Sequence, residues 1–197
     1  DTILLRADAL RMTDQPAASA AAYAQLLKTP LAARGYRGLG LIAGAVDDAR
    51  FDFTASVARR LGYEQALNAA GIDFDPALVV EGPHGIEGGA QAMIELLGRP
   101  QLPTAVLAEF DELAIGALWA LRRAGLQVPR DVSVIGIDDM DMARFVDLTT
   151  VAQDVVAQGR YAAVQLIRLL TGEVAHQRIR TNLGLGIRHV ARLGLPS

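Results

Sequence analysis

The sequence predicts an α/β fold in which parallel sheets are covered by helices. Three observations carry that prediction. Short apolar runs alternate along the chain with longer amphipathic ones. Two of the apolar runs, 105–108 and 132–137, lead into acidic residues, the first at Phe110-Asp111 and the second at Asp138-Asp139. The segment between them, 111–125, has helical periodicity and returns the chain to the start of the next strand. Both strands therefore bring carboxylates to one edge. In open parallel sheets, ligands sit in the crevice beyond the strand carboxyl ends.

The elements follow in order. Thr2-Ile-Leu-Leu5 is a short strand run. Residues 17–27 are alanine-rich and helix-forming, with Pro16 near their start. Pro30 interrupts that helix or begins another turn. Leu39-Gly-Leu-Ile-Ala43 is a buried strand that ends at Gly44. Thr54 can cap a helix whose apolar face includes Val57, Leu61 and Leu67, closed by Gly71. Leu78-Val-Val80 is a strand and Gly82-Pro-His-Gly85 a loop. Ala90, Met93, Ile94 and Leu97 line one helix face before Gly98; Leu113, Ala117, Leu121 and Ala124 line another. Val155, Gly159, Ala162, Leu166 and Leu170 line a long helix that stops near Gly172, and residues 178–190 hold two short strands.

Composition narrows the function classes. Over 197 residues, 51% are hydrophobic and 21% charged, as in a soluble protein with a substantial core. The net charge of -3 and the lack of a Lys/Arg cluster beyond Arg59-Arg60 and Arg122-Arg123 make this chain by itself a poor DNA binder. With no cysteine, neither disulfides nor thiol chemistry can operate. No run reaches the roughly 18 apolar residues of a membrane helix, and no basic-then-apolar leader opens the sequence. A cytoplasmic protein without membrane contact is the expectation.

Each candidate residue has a bland reading. Asp111 begins a helix, so it is either an N-cap or a ligand acceptor; capping preference favours the cap about two to one. Asp138 and Asp139 are turn residues or acceptors. No histidine or third carboxylate stands at a spacing that would make them a metal site, so no metal is expected. Gly38-Leu-Gly40-Leu-Ile-Ala43 has the letters of a dinucleotide fingerprint, but its glycines precede or lie within the strand instead of opening a helix after it. No cofactor is expected. His84, His176 and His189 are scattered and read as surface or loop residues. With no nucleophile elbow, phosphate loop or catalytic triad in supporting context, no enzyme is expected.

Over about fifty residues the chain resembles the effector-binding domain of lactose/galactose-repressor-type transcription regulators. The resemblance is carried by Pro103-Thr-Ala-Val106, by Asp111-Glu-Leu-Ala-Ile-Gly-Ala-Leu118, by Val128-Pro-Arg-Asp-Val-Ser-Val-Ile-Gly-Ile-Asp-Asp139, and by Leu148-Thr-Thr-Val-Ala-Gln153. A weaker likeness runs from about residue 14 to residue 188. The resemblance implies a periplasmic-binding-protein-like fold of two α/β lobes with ligand in the cleft. It puts the remainder of the first lobe within 1–100, the second lobe at 101–150, and a crossover, helix and terminal strands shared between lobes at 151–197. Residues 2–13 have no counterpart in the family. A complete member carries a helix-turn-helix, a hinge and about half of the first lobe ahead of the point where this chain aligns. Operator DNA would thus be contacted only through a headpiece outside this sequence.

The resemblance also assigns roles. Asp138 stands where the family binds ligand hydroxyls; an ionised carboxylate only accepts, which suits vicinal hydroxyls. Where family members often have a ligand-touching Asn, this chain has Phe110, an aromatic face. Arg59, three residues before Gly62-Tyr63, matches an arginine that reaches into the cleft from the first lobe. Gln153 borders the site, and Asp111 joins it if it is more than a cap. Trp119 lies in the core or in the contact through which the family forms homodimers. The expected function is a ligand-sensing domain of a bacterial regulator that binds a small metabolite such as a sugar. A solute-binding protein for uptake is the alternative.

Overall fold

The computed structural model describes residues 38–44, 54–173 and 185–188. The expected strand at 2–5, the helix at 17–27 and the first of the two terminal strands lie outside them. Among the described residues six strands form one sheet: β1 (Leu39–Gly44), β2 (Val79–Gly82), β3 (Ala105–Ala108), β4 (Ser133–Asp138), β5 (Thr149–Gln153) and β6 (Leu185–Arg188), in the spatial order β2-β1-β3-β4-β5-β6. All neighbours pair in parallel except β6, which runs antiparallel to β5. Every residue of β1 and β3 is buried. Such unbroken apolar runs mark strands covered on both faces.

Among the described residues four α-helices connect the strands: α1 (Thr54–Ala69), α2 (Ile86–Leu97), α3 (Asp111–Arg123) and α4 (Val155–Leu170). Two cores result. On one side α1 lays Tyr63, Ala66 and Leu67 over Leu39, Leu41, Ala105 and Leu107, and the Tyr63 hydroxyl donates to the Leu39 carbonyl at 2.6 Å. On the other, α2 and α3 bury Met93, Leu96, Leu113 and Leu121 over Ile42, Val106 and Val134. Each such leucine contributes roughly 1.5–3 kcal/mol. Asp111 and Glu112 in the first turn of α3, with Arg122 and Arg123 in its last, complement the helix dipole. Asp154 caps α4 by accepting from the Ala157 N–H at 2.8 Å.

The pairing of α2 with α3 is a backbone-to-backbone crossing. A Cβ on Gly89 would stand 2.1 Å from the Leu113 carbonyl oxygen, and one on Gly116 would stand 2.0 Å from that of Ile86. Only hydrogen fits at either position.

Three expectations need correction. First, the boundary expected near residue 100 does not separate two lobes. β1 is hydrogen-bonded directly to β3, Leu39 opposite Ala105, so residues on both sides of that boundary share one sheet. Chain order cannot show this, because the first crossover puts β2 on one side of β1 and the next strand lands on the other. Second, the buried face of α1 is turned from the expected one: Val57 and Leu61 are exposed, while Ser56, Tyr63, Ala66 and Leu67 are covered. The hydroxyls of Ser56 and Tyr63 hide that face from an apolar count. Third, Ile94 and Ala124 are exposed, and so is the whole expected apolar stripe of α4; no residue of that helix is buried.

Candidate ligand-binding site

The strand order reverses between β1 and β3, which makes the crevice at their carboxyl ends the switch point of the sheet. Around it the chain delivers Gly44 from β1, His84 just past β2, Glu109 and Phe110 past β3, Asp138 from β4 and Gln153 from β5. Arg59 reaches in from the second turn of α1.

Asp138 is the hub. Its Oδ1 accepts from Arg59 Nη2 at 3.0 Å and from Gln153 Nε2 at 2.5 Å. Arg59 also donates through Nη1 to the Glu109 carbonyl at 2.6 Å and lays its guanidinium 4.5 Å from the centre of the Phe110 ring. On that ring His84 packs edge-on at 5.2 Å. Gly44 makes the stack possible, since a Cβ there would meet the His84 ring at 2.6 Å and the Phe110 ring at 3.1 Å. Asp138 and Asp139 have φ of 125° and 56°. Backbone held in such regions costs energy and clusters at ligand-binding sites. The Asp138 side chain stays 36% exposed, against 16% for Arg59, so it retains a face toward solvent.

The structure thus brings together four of the five expected residues: Arg59, Phe110, Asp138 and Gln153. Arg59 approaches from the helix that covers this same sheet and not from across a cleft, which corrects the lobe expected for it. Asp111 stands apart. It is 1% exposed, with Oδ1 taken by the Thr150 hydroxyl at 2.5 Å and Oδ2 by the Met140 N–H at 2.8 Å. Thr150 Oγ1 in turn accepts from the Asp139 N–H at 3.2 Å. Asp111 therefore ties the turn after β4 to α3 and β5 and holds Asp138 in place. It is not the N-cap either; that position belongs to Phe110. Burial pushes its carboxyl above the usual range, against the opposing hydrogen bonds from Thr150 and Met140.

Sequence reasoning missed Gly44, His84 and Glu109. Each stands at or within two residues of the end of an apolar strand, so the rule that strand carboxyl ends line the crevice could have found all three. Glu109 is fully buried and its Oε2 accepts from the Gly44 N–H at 3.1 Å. Burial raises its pKa; Gly44, Ser56 and Arg59 oppose that, and Glu81 adds to it. The folded protein therefore holds this proton more tightly than the unfolded chain. That contribution to stability is full below pH 4.5, the ordinary value, and is lost as pH rises through the folded pKa. Glu109→Gln removes it. The melting temperature of the variant relative to wild type should climb as pH rises from 4.5 to neutrality, with Asp111 acting equally in both proteins. A difference that stays flat with pH would show that Glu109 titrates normally.

A cavity of about 350 Å3 lies at the other end of the sheet, lined by Leu118, Arg122, Val128, Pro129, Ser133 and Leu148. It is far from the strand carboxyl ends and holds none of the residues above. Among the described residues no group of three or more acids, histidines or cysteines could hold a metal ion. No helix among them is long and apolar enough to cross a membrane.

Residues 29–190 match the periplasmic binding protein-like domain family. The transcriptional repressor CytR of Escherichia coli is 39% identical over 142 residues, 71% of this chain and 40% of that protein. The transcriptional regulator CelR of Thermobifida fusca is 39% identical over 141 residues, with the same coverages. Among solved structures, a sugar-binding transcriptional regulator of the LacI family from Escherichia coli, complexed with phosphate, superposes with a TM-score of 0.71 at 32% identity, covering 87% of this chain and 58% of that one. A CelR–cellobiose complex gives 0.74 at 34% identity, covering 86% and 49%. The chain spans about 40% of the curated relatives that it matches.

Proposed function

This chain belongs to the periplasmic binding protein-like domain family, and on that premise we propose that it is the ligand-sensing part of a bacterial transcription regulator of the lactose-repressor type. The observation that carries the reading is the convergence of Arg59, Phe110, Asp138 and Gln153 at the switch point. It offers a charged acceptor, a planar donor and an aromatic face, and no nucleophile or proton relay. A sugar or related polyhydroxyl effector suits this set: hydroxyls donate to Asp138, and an apolar ring face rests near Phe110. Asp111 and Thr150 act behind them as positioning residues.

An effector that binds one arrangement of the domain better than another shifts the population toward it. In the intact protein that shift would reach operator DNA through the helix-turn-helix headpiece, by linkage between the two binding events. Such a protein works in the cytoplasm and performs no chemistry. The regulators named above support this reading over a solute-binding protein for uptake. The test is a thermal-shift panel of neutral sugars, amino sugars, nucleosides and their phosphate esters. At least one member should raise the melting temperature and alter operator binding by the intact protein. If none stabilises the protein, the reading is wrong.

A homodimer is part of the same proposal. On α3, Trp119 is half-exposed, with the Arg123 guanidinium 5.7 Å from its ring centre. Leu118, next to it in sequence, is 3% exposed within the core. Sedimentation should show a dimer at micromolar concentration, and Trp119→Lys should shift it toward monomer without lowering the melting temperature of the monomer. A clean wild-type monomer at that concentration would remove the dimer from the proposal.

A further inference from the structure

The mechanism above leaves one buried acid unused. Glu109 follows the last residue of β3 and is 0% exposed. Its Oε2 is engaged by Gly44 and the Ser56 hydroxyl stands near the carboxylate, but Oε1 is buried and makes no hydrogen bond of normal geometry among the described residues. A polar atom left in that state is costly unless a partner reaches it. The site around it is the ligand crevice. Gly44 lies against the rings of His84 and Phe110, and Arg59 is bonded to the backbone carbonyl of Glu109 itself. We propose that Glu109 is a specificity-determining residue of this crevice, whose Oε1 accepts a hydrogen bond from an amino or hydroxyl group of the effector entering between the ends of β1 and β3. This rests on the ligand-sensing reading and deepens it by naming the effector chemistry that is admitted.

Charge decides which groups enter. Arg59 is already paired with Asp138, and Arg60, one residue on, with Glu64 and Glu81. Glu109, Asp138 and Asp139 add carboxyls at the same edge. A phosphate or carboxylate arriving from solvent meets acceptors whose nearest guanidinium partners are already engaged. An amino or hydroxyl group meets two acceptors, one half-exposed at Asp138 and one buried at Glu109. An ammonium group gains most, since it forms a charge-assisted hydrogen bond with the carboxylate and offsets the burial that disfavours its charged form. This crevice therefore takes neutral or cationic polyhydroxyl compounds and turns their phosphate esters away.

The test titrates the same panel against the intact wild-type protein, Glu109→Gln and Asp138→Asn by calorimetry. Gln keeps the size and an acceptor for Gly44 but places an amide NH2 where Oε1 stood. The expected result is that a member binding wild type loses tenfold or more in Glu109→Gln. That variant should melt no lower than wild type at neutral pH, and the phosphate esters should bind neither protein. Should Glu109→Gln melt lower, Glu109→Asp takes its place: it keeps the charge, shortens the reach by one methylene, and carries the same expected loss. Affinity unchanged in the Glu109 variant overturns the inference. So does a phosphate ester that binds more tightly than its parent compound. A compound bound equally by all three proteins sits outside the crevice and also overturns it. A panel with no wild-type binder instead overturns the ligand-sensing reading, and this inference with it, so the two failures are distinguishable.

Discussion

Gly116→Ala should lower the melting temperature by about 6–12 °C, although alanine is the better helix former. In an open helix the exchange gains about 1 kcal/mol. Here the new methyl would stand 2.0 Å from the Ile86 carbonyl oxygen and 2.5 Å from the Ala90 nitrogen. Both are backbone atoms and cannot rotate away, so α2 and α3 would have to part. Those helices share the larger core, with Leu96, Leu113 and Leu121 between them and the sheet. The cost belongs at the upper end of the roughly 1–3 kcal/mol typical of overpacking. In a chain of this size each kcal/mol moves the midpoint by about 2–4 °C. Gly159→Ala, in α4, is the control: nothing lies within 4 Å of its added methyl, so it should gain about 0.5–1 kcal/mol. Calorimetry of the two variants decides the matter. Equal midpoints for Gly116→Ala and wild type would show that the two helices can separate without loss.

Asp138→Ala should weaken effector binding by about ten- to a hundred-fold. Hydrogen bonds to charged groups are worth about 1.5–3 kcal/mol, and 1.4 kcal/mol is a factor of ten. The local arrangement sharpens that expectation. Removing Asp138 also takes the acceptor from Arg59 and Gln153. Arg59 keeps its bond to the Glu109 carbonyl and its place on Phe110, so the guanidinium should swing without leaving the site. The turn itself is held from behind by Asp111 and Thr150, so the fold should suffer less than binding. Asp138→Asn keeps one acceptor and the size but drops the charge, and should fall between wild type and Ala. Calorimetric titration of both variants with a panel member that binds wild type measures this. Unchanged affinity in Asp138→Ala would remove the hub from the site. A silent Asn beside an Ala that only melts earlier would make Asp138 a turn former.

By itself the sequence determined the class of fold and most of its elements. Apolar runs such as 39–43 and 105–108 can form only covered strands, because their unbroken apolar character leaves no face for water. It also placed Phe110 and Asp138 at one sheet edge, because parallel strands joined by helices all end there; Gln153 came to the site only through the family resemblance. The resemblance of Arg59-x-x-Gly62-Tyr63 to the family's segment chose Arg59 over Arg60, and the structure turns Arg59 inward while Arg60 pairs with surface acids. Tertiary structure decided the rest, since it depends on contacts between residues far apart in the chain. β1 meets β3 across some sixty residues, and no local pattern records on which side of β1 the second crossover will land. That one choice joined residues on both sides of position 100 into one sheet and created the switch point. It also put Gly44, His84 and Glu109 beside one another. The role of Asp111 was open for the same reason. A strand-end aspartate can cap, bind ligand or brace a turn, and only the placement of Thr150 and Met140 against its two oxygens selects the third.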